Sequence, residues 1–392
     1  MSRKHVHKLR RWFVLTVLLI GGATFWGQQQ NAQQPAPMFL PTQAPPNAKY
    51  VGAQTCAKCH TKHAADYQHT GMARALAACA ECEVLRTHPN LTAQRGRYSY
   101  RLTRNGAQSS YSVTDGVNAI TEPILWCFGK GVAGQTYLLR HNGQWYESRV
   151  SFYQAINGLD VTIGSPAAAS ASLLEAFGRA LQSVETKDCF SCHATAAVRN
   201  AQLQLDQLTP GITCEACHGP GADHVARYST RSGSDGVINP QSAIQTPKSP
   251  SIFNPAHLSP YDLSQQFCGA CHRSWEQVRL MELRGVENVR FQPYRLAESR
   301  CYDPEDRRIS CTGCHNPHEE LRTGATAYDA NCLACHQPKG EKLSSGKRAP
   351  TCPKSQQKCV SCHLPKYEMP GSHFKFTDHL IRVVKSGEAY PH

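Results

Sequence analysis

The chain has 392 residues, 42 lysines and arginines against 29 acidic residues, a formal charge of +13, and 19 cysteines beside 19 histidines. That length suits two or three domains. Five basic residues (Arg3, Lys4, Lys8, Arg10 and Arg11) stand together at the start and leave +8 for the rest. No long apolar run follows them beyond residue 27, so the body of the chain reads as soluble rather than membrane-embedded.

The basic stretch Arg3–Arg11, the apolar run Trp12–Ile20 and the small residues Gly21-Gly22-Ala23 have the layout of an export signal over residues 1–27. Thr24-Phe25-Trp26 stays apolar, so an uncleaved N-terminal membrane anchor is the alternative. A run of about 15 apolar residues is short of the roughly 20 a span requires, which favours cleavage. Either way the chain is expected in the periplasm or on the outer face of the cytoplasmic membrane. Residues 28–48, rich in Gln, Pro and Ala, read as a disordered linker.

Residues 49–94 carry the first of seven copies of Cys-x-x-Cys-His. These are Cys56/Cys59/His60, Cys189/Cys192/His193, Cys214/Cys217/His218, Cys268/Cys271/His272, Cys311/Cys314/His315, Cys332/Cys335/His336 and Cys359/Cys362/His363. Composition alone gives about 0.04 such motifs by chance. The pattern is the attachment signature of haem c, in which two thiols add across the porphyrin vinyl groups and the adjacent imidazole becomes the proximal iron ligand. Zinc knuckles use paired Cys-x-x-Cys but have no need of a histidine after every second cysteine. Seven covalently bound haems c are therefore expected, with the seven motif histidines as proximal ligands. Two propionates per haem outweigh the remaining basic excess. The scattered Lys and Arg then read as propionate partners, and no nucleic-acid partner is expected.

Between the first and second motifs lies a long haem-free stretch. Asn105-Gly106 and Asn142-Gly143 each separate alternating runs, the strongest short hairpin signal, and place a small β-hairpin module at 95–164. Apolar spacing of three and four predicts a helix over Ala167–Val184 behind Pro166. Residues 165–392 form a six-haem cytochrome domain, with a Ser-, Pro- and Gly-rich surface loop at 226–260. Residues 189–363 hold six motifs, roughly 29 residues for each, too few to bury a core unaided. The expected fold is thus mostly α and irregular, a polypeptide wrapped around stacked haems.

The second axial position separates a carrier from a catalyst. Ten histidines lie outside the motifs and the N-terminal stretch, three more than seven haems require. His318 in Cys-His-Asn-Pro-His cannot reach the far face of its own haem and would cap a neighbour; His224 follows the same logic. His379, His373, His88 and His257 are the further distal candidates. Met72 or His69 would serve the first haem, with Met72 preferred and a higher potential expected from its thioether. His63, His141 and His392 read as surface residues. Among cysteines outside the motifs, Cys79 and Cys82 suit a local disulfide or a degenerate haem site. Cys301 and Cys352 suit pairing in an exported protein, and Cys127 reads as a buried apolar thiol.

The blocks Gly211-Ile-Thr-Cys-Glu-Ala-Cys-His-Gly-Pro-Gly-Ala-Asp-His224, Cys311-Thr-Gly-Cys-His-Asn-Pro-His318 and Cys359-Val-Ser-Cys-His-Leu-Pro-Lys366 with Phe376-Thr-Asp-His379 resemble exported bacterial multihaem cytochromes of the cytochrome c-554/c-552 type. The resemblance implies stacked haem pairs, with His224, His318 and His379 as distal ligands of neighbouring haems. Two functions compete. One is an electron-transfer chain of closely packed haems between redox partner proteins, a quinol-linked or periplasmic donor and a terminal reductase or oxidase. The other is a multihaem oxidoreductase with one open-site haem acting on a small nitrogen or sulfur compound. A scaffold whose β module docks a partner is a third. Surplus histidines and seven uniform motifs favour the carrier.

Overall fold

The computed structural model describes residues 38–391 apart from 167, 230–251, 344 and 386. The export signal, residues 28–37 of the linker, much of the 226–260 loop and His392 lie outside the described residues, while in the rest of the linker the Ala44 amide donates to the Val198 carbonyl at 2.8 Å.

Ten strands run from β1 to β10: Leu76–Ala78, Asn90–Arg95, Tyr98–Asn105, Gln108–Thr114, Ala119–Phe128, Thr136–His141, Gln144–Ser148, Val150–Tyr153, Gly158–Val161 and Gly178–Ala180. Eight of them form one antiparallel sheet in the order β10-β7-β6-β5-β4-β3-β2, with β1 added against β5. Period-two alternation drives it: Tyr98, Tyr100 and Leu102 are buried on β3 and Tyr111 and Val113 on β4, with polar residues between them. At the β6–β7 hairpin Asn142 and Gly143 both have positive φ, 49° and 81°, the backbone that a tight two-residue turn requires. The separate pair β8–β9 joins the sheet through mutual backbone hydrogen bonds between Gln135 and Phe152.

The sheet overturns the mostly-α expectation. Strand accounts for 23% and helix for 31%, and the sheet is a large curled structure with its own core rather than a small hairpin module. It also draws in β1 and β10, which lie on either side of 95–164. The physical reason is aromatic burial: Phe177 packs on Tyr111 and Tyr146 at 5.4 Å between ring centroids, and the Tyr111 hydroxyl donates to the Phe177 carbonyl at 3.0 Å. The gap between the first two motifs thus closes a core without any cofactor.

The helix expected over Ala167–Val184 is likewise interrupted. Helix occupies Leu173–Phe177, capped by Ser172, then Gly178 opens β10. A β-carbon at Gly178 would lie 2.2 Å from the Glu147 carbonyl oxygen, so glycine permits this strand to pair with β7. A new helix, Ser183–His193, starts at a capping box between Gln182 and Glu185 and delivers the second motif.

Candidate haem centre

Each motif occupies one helical turn. The amide of His60 donates to the Cys56 carbonyl, His315 to Cys311 and His336 to Cys332, all at 2.9 Å. The motifs ending at His193, His218, His272 and His363 lie within or at the end of helices. One turn places both cysteines and the following histidine on the same side of the backbone, as a shared porphyrin demands.

The fourteen motif thiols are not set alike. Cys59 and Cys362 are exposed, whereas the other twelve are half-buried or buried. His60, next to Cys59, is exposed as well. Both thiols are the second cysteine of a motif at one end of the series, the first and the last. The short helices Ala53–Ala57 and Cys359–His363 bury none of their own residues.

The motif imidazoles are oriented from behind. Nδ1 donates to a backbone carbonyl at His193 (Ala75, 2.9 Å), His218 (Phe253, 3.1 Å), His336 (Pro350, 2.8 Å) and His363 (Arg382, 2.8 Å). This bond fixes the tautomer and leaves Nε2 as the available lone pair, the usual support of a metal-bound histidine. Burial lowers the pKa of His193, His218, His272 and His315, and pushes His379 down to about 4. Low basicity keeps the rings neutral, the form that ligates.

Three motif imidazoles face a non-motif partner. Ring centroids are 6.3 Å apart for His60 and His224, 6.0 Å for His218 and His318, and 6.2 Å for His315 and His379. An iron about 2 Å from the outer nitrogen of each ring requires centroids about 6 Å apart. The spacing therefore fits one haem iron between each pair. A cavity of about 410 Å³ adjoins the fifth motif, lined by Cys314, His315, Asn316 and Arg322 among others. Another of about 260 Å³ lies between motifs two and four, with Cys192, Lys187 and Arg273 in its wall. The basic side chains suit propionates.

The other distal candidates make contacts of their own. His88 bonds Asn157 through Nε2 at 2.8 Å and contacts Thr87 and Val84 through Nδ1, so both ring nitrogens are engaged on the sheet. His373 Nε2 bonds Asp160 at 2.8 Å. His257 contacts Asn254 at 3.5 Å, and His69 contacts Arg74 at 3.2 Å. Met72 accepts through its backbone from Ile212 and Ala75. His63, read as a surface residue, is exposed but sits 4.8 Å from the His318 ring.

Motifs are brought side by side, two pairs of them consecutive in the chain and two not. The thiol of Cys56 is hydrogen-bonded with Cys214, Cys192 with Cys271, Cys268 with Cys311, and Cys332 with Cys359. These contacts lower the pKa of Cys214 and Cys192 to about 7. Buried carboxylates tie the same motifs through the backbone. Glu215 accepts from the amides of Val51, Gly52 and Gly221 at 2.8–2.9 Å, and Asp329 from Lys358 and Cys359 at 2.8 Å. Neither role was legible beforehand, because a carboxylate inside or beside a motif has no local partner to betray it. Cys301 lies within electrostatic reach of Cys314, Cys332 and Cys335, while Cys352 takes hydrogen bonds from the backbone of Ser355 and Lys354.

Residues 161–219 match the family described as Cytochrome c554 and c-prime. The match spans motifs two and three. It supports a c-type cytochrome that transfers electrons on covalently bound haem. No curated protein and no solved structure matches the chain.

Around the last motif the support is ionic. Arg295, 2% exposed, makes a bidentate pair with the fully buried Asp378 at 2.8 and 3.0 Å, and Asp378 also accepts from Arg382 at 3.0 Å. Asp378 precedes His379, and the Arg382 carbonyl accepts from His363, so one buried cluster anchors two imidazoles.

Proposed function

We propose that this chain is an exported heptahaem c-type cytochrome that passes electrons along closely spaced haems between a quinol-linked or periplasmic donor and a terminal reductase or oxidase. The carrying observation is the three opposed imidazole pairs, each joining a motif histidine to His224, His318 or His379 at 6.0–6.3 Å. Bound haem c supplies a one-electron iron couple. The residues would supply the rest: motif thiols would anchor the haems, backbone carbonyls orient Nε2, and His224, His318 and His379 would keep substrate from the irons they face. Adjacent motif cysteines support close spacing. The first haem segment, the sheet region and the six-motif region are parts of this one assembly, and residues 1–27 are its export signal or membrane anchor.

A second reading has its own observation. Among the described residues, His193, His272, His336 and His363 have no non-motif imidazole at the distance seen in the three pairs. An open-site haem in a multihaem oxidoreductase acting on a small nitrogen or sulfur compound would use such a position. EPR of the ferric haem-loaded protein separates the two: only low-spin iron supports the carrier, and a stoichiometric high-spin signal supports the enzyme.

A further inference from the structure

Three thiols that no haem motif uses meet inside the sheet. Cys79, Cys82 and Cys127 are 8%, 1% and 0% exposed. Strand pairing creates the encounter: β1 sets Ala77 opposite Cys127 on β5, and the chain turns at once through Cys79–Glu81 to Cys82. Cys82 donates to the Gln135 side-chain oxygen at 3.0 Å and is also hydrogen-bonded with the Cys127 thiol, while Cys79 lies within electrostatic reach of Cys127. Tyr137, directly opposite Cys127 on β6, presents a buried hydroxyl with no hydrogen-bond partner among the described residues, and all three thiols lie within its electrostatic reach. A polar group left unpaired in an apolar core marks a place where chemistry beyond packing is at work.

We propose that Cys82 and Cys127 form a disulfide in the mature protein, riveting the end of the first haem segment to the central strand, with Cys79 remaining a thiol. The side-chain contact of Cys82 with Cys127, and their deeper burial (1% and 0% exposed against 8% for Cys79), select this pair over the local Cys79–Cys82 alternative. The two thiols give up two protons and two electrons as the S–S bond forms. An incoming protein disulfide accepts them by thiol–disulfide exchange and leaves as a dithiol. With both thiols buried in the folded sheet, the exchange takes place while the chain is still folding, before the core closes over them. The oxidant requires an oxidising compartment, so the cross-link rests on the export reading above.

The test uses haem-loaded protein denatured in an alkylating agent without reductant, then cleaved with trypsin and after Glu81, which separates Cys79 from Cys82. The expected result is a linked Cys82–Cys127 peptide pair, with Cys79 carrying the only alkyl increment of the three. In Cys79→Ser the linked pair should persist; in Cys82→Ser it should vanish and Cys127 should alkylate. Alkylation of both Cys82 and Cys127 in the unmutated protein, or linkage of either one to Cys79, overturns the proposal. Covalent haem read from the intact mass of the same sample reports on export separately. A full haem load with three alkylated cysteines would sink the cross-link alone.

Discussion

His218 and His318 lie parallel, with 6° between their ring planes and 6.0 Å between their centroids. His318 follows the fifth motif, so a residue beside one motif faces the histidine of the third. Replacing His318 with Ala should convert one low-spin iron to high-spin and open it to carbon monoxide, leaving the remaining irons unchanged. His224→Ala and His379→Ala should each do the same for a different iron. An unaltered spectrum for any of the three would remove that pair from the reading.

Haem stoichiometry is measured by intact mass after extraction of free haem. Seven covalent increments are expected from seven helical-turn motifs, and a lower count would identify an unused one. The exposed thiols Cys59 and Cys362 make the first and last motifs the ones to inspect in that event.

Adjacent thiols at Cys56 and Cys214, Cys192 and Cys271, and Cys332 and Cys359 bring attachment points together. Redox titration should therefore show interacting midpoints spread over a broad range. A single Nernst curve common to all haems would speak against close spacing.

Arg295→Met strands a fully buried Asp378 carboxylate with Arg382 as its remaining ion-pair partner. A loss of about 3–5 kcal/mol is expected in denaturant unfolding, the cost of breaking a buried pair from one side. Lys62→Ala, which removes an exposed pair with Asp66, should leave the unfolding midpoint essentially where it was. Equal effects from the two would mean that burial of Arg295 does not govern the cluster.

The Glu185 carboxyl is held below its ordinary pKa of 4.5 by the Gln182 amide and by Arg179. Its contribution to stability is complete above 4.5 and fades as pH falls through the lower folded value. Glu185→Ala should cost about 1 kcal/mol at neutral pH through loss of the helix cap. The difference from the unmutated protein should vanish in acid. A gap independent of pH would show that packing, not charge, is lost.

What the sequence revealed divides along contact range. Asn142-Gly143 sets a turn by itself, and it was legible. That His224, His318 and His379 each lie 6.0–6.3 Å from a motif imidazole agrees with the expectation that motif-flanking histidines cap neighbours. The curled sheet was not legible, since its closure depends on Phe177 packing against Tyr111 across 66 residues, and periodicity carries no information about such partners. Nor could spacing show that His88 and His373 would be captured by Asn157 and Asp160. Identical motifs likewise gave no hint that Cys59 and Cys362 would differ in exposure from the other twelve, because cover comes from neighbours and not from the motif. The same limit hid Cys82 beside Cys127 and Arg295 beside Asp378.

The Glu215 carboxylate grips the amides of Val51 and Gly52 from 164 and 163 positions further along the chain. Synthesis runs from the N terminus, so the first motif is made long before the group that fixes it exists. The segment around Cys56 and Cys59 therefore lacks this tether until residue 215 has been made. The earliest haem site to be made is thus one of the later ones to be finished.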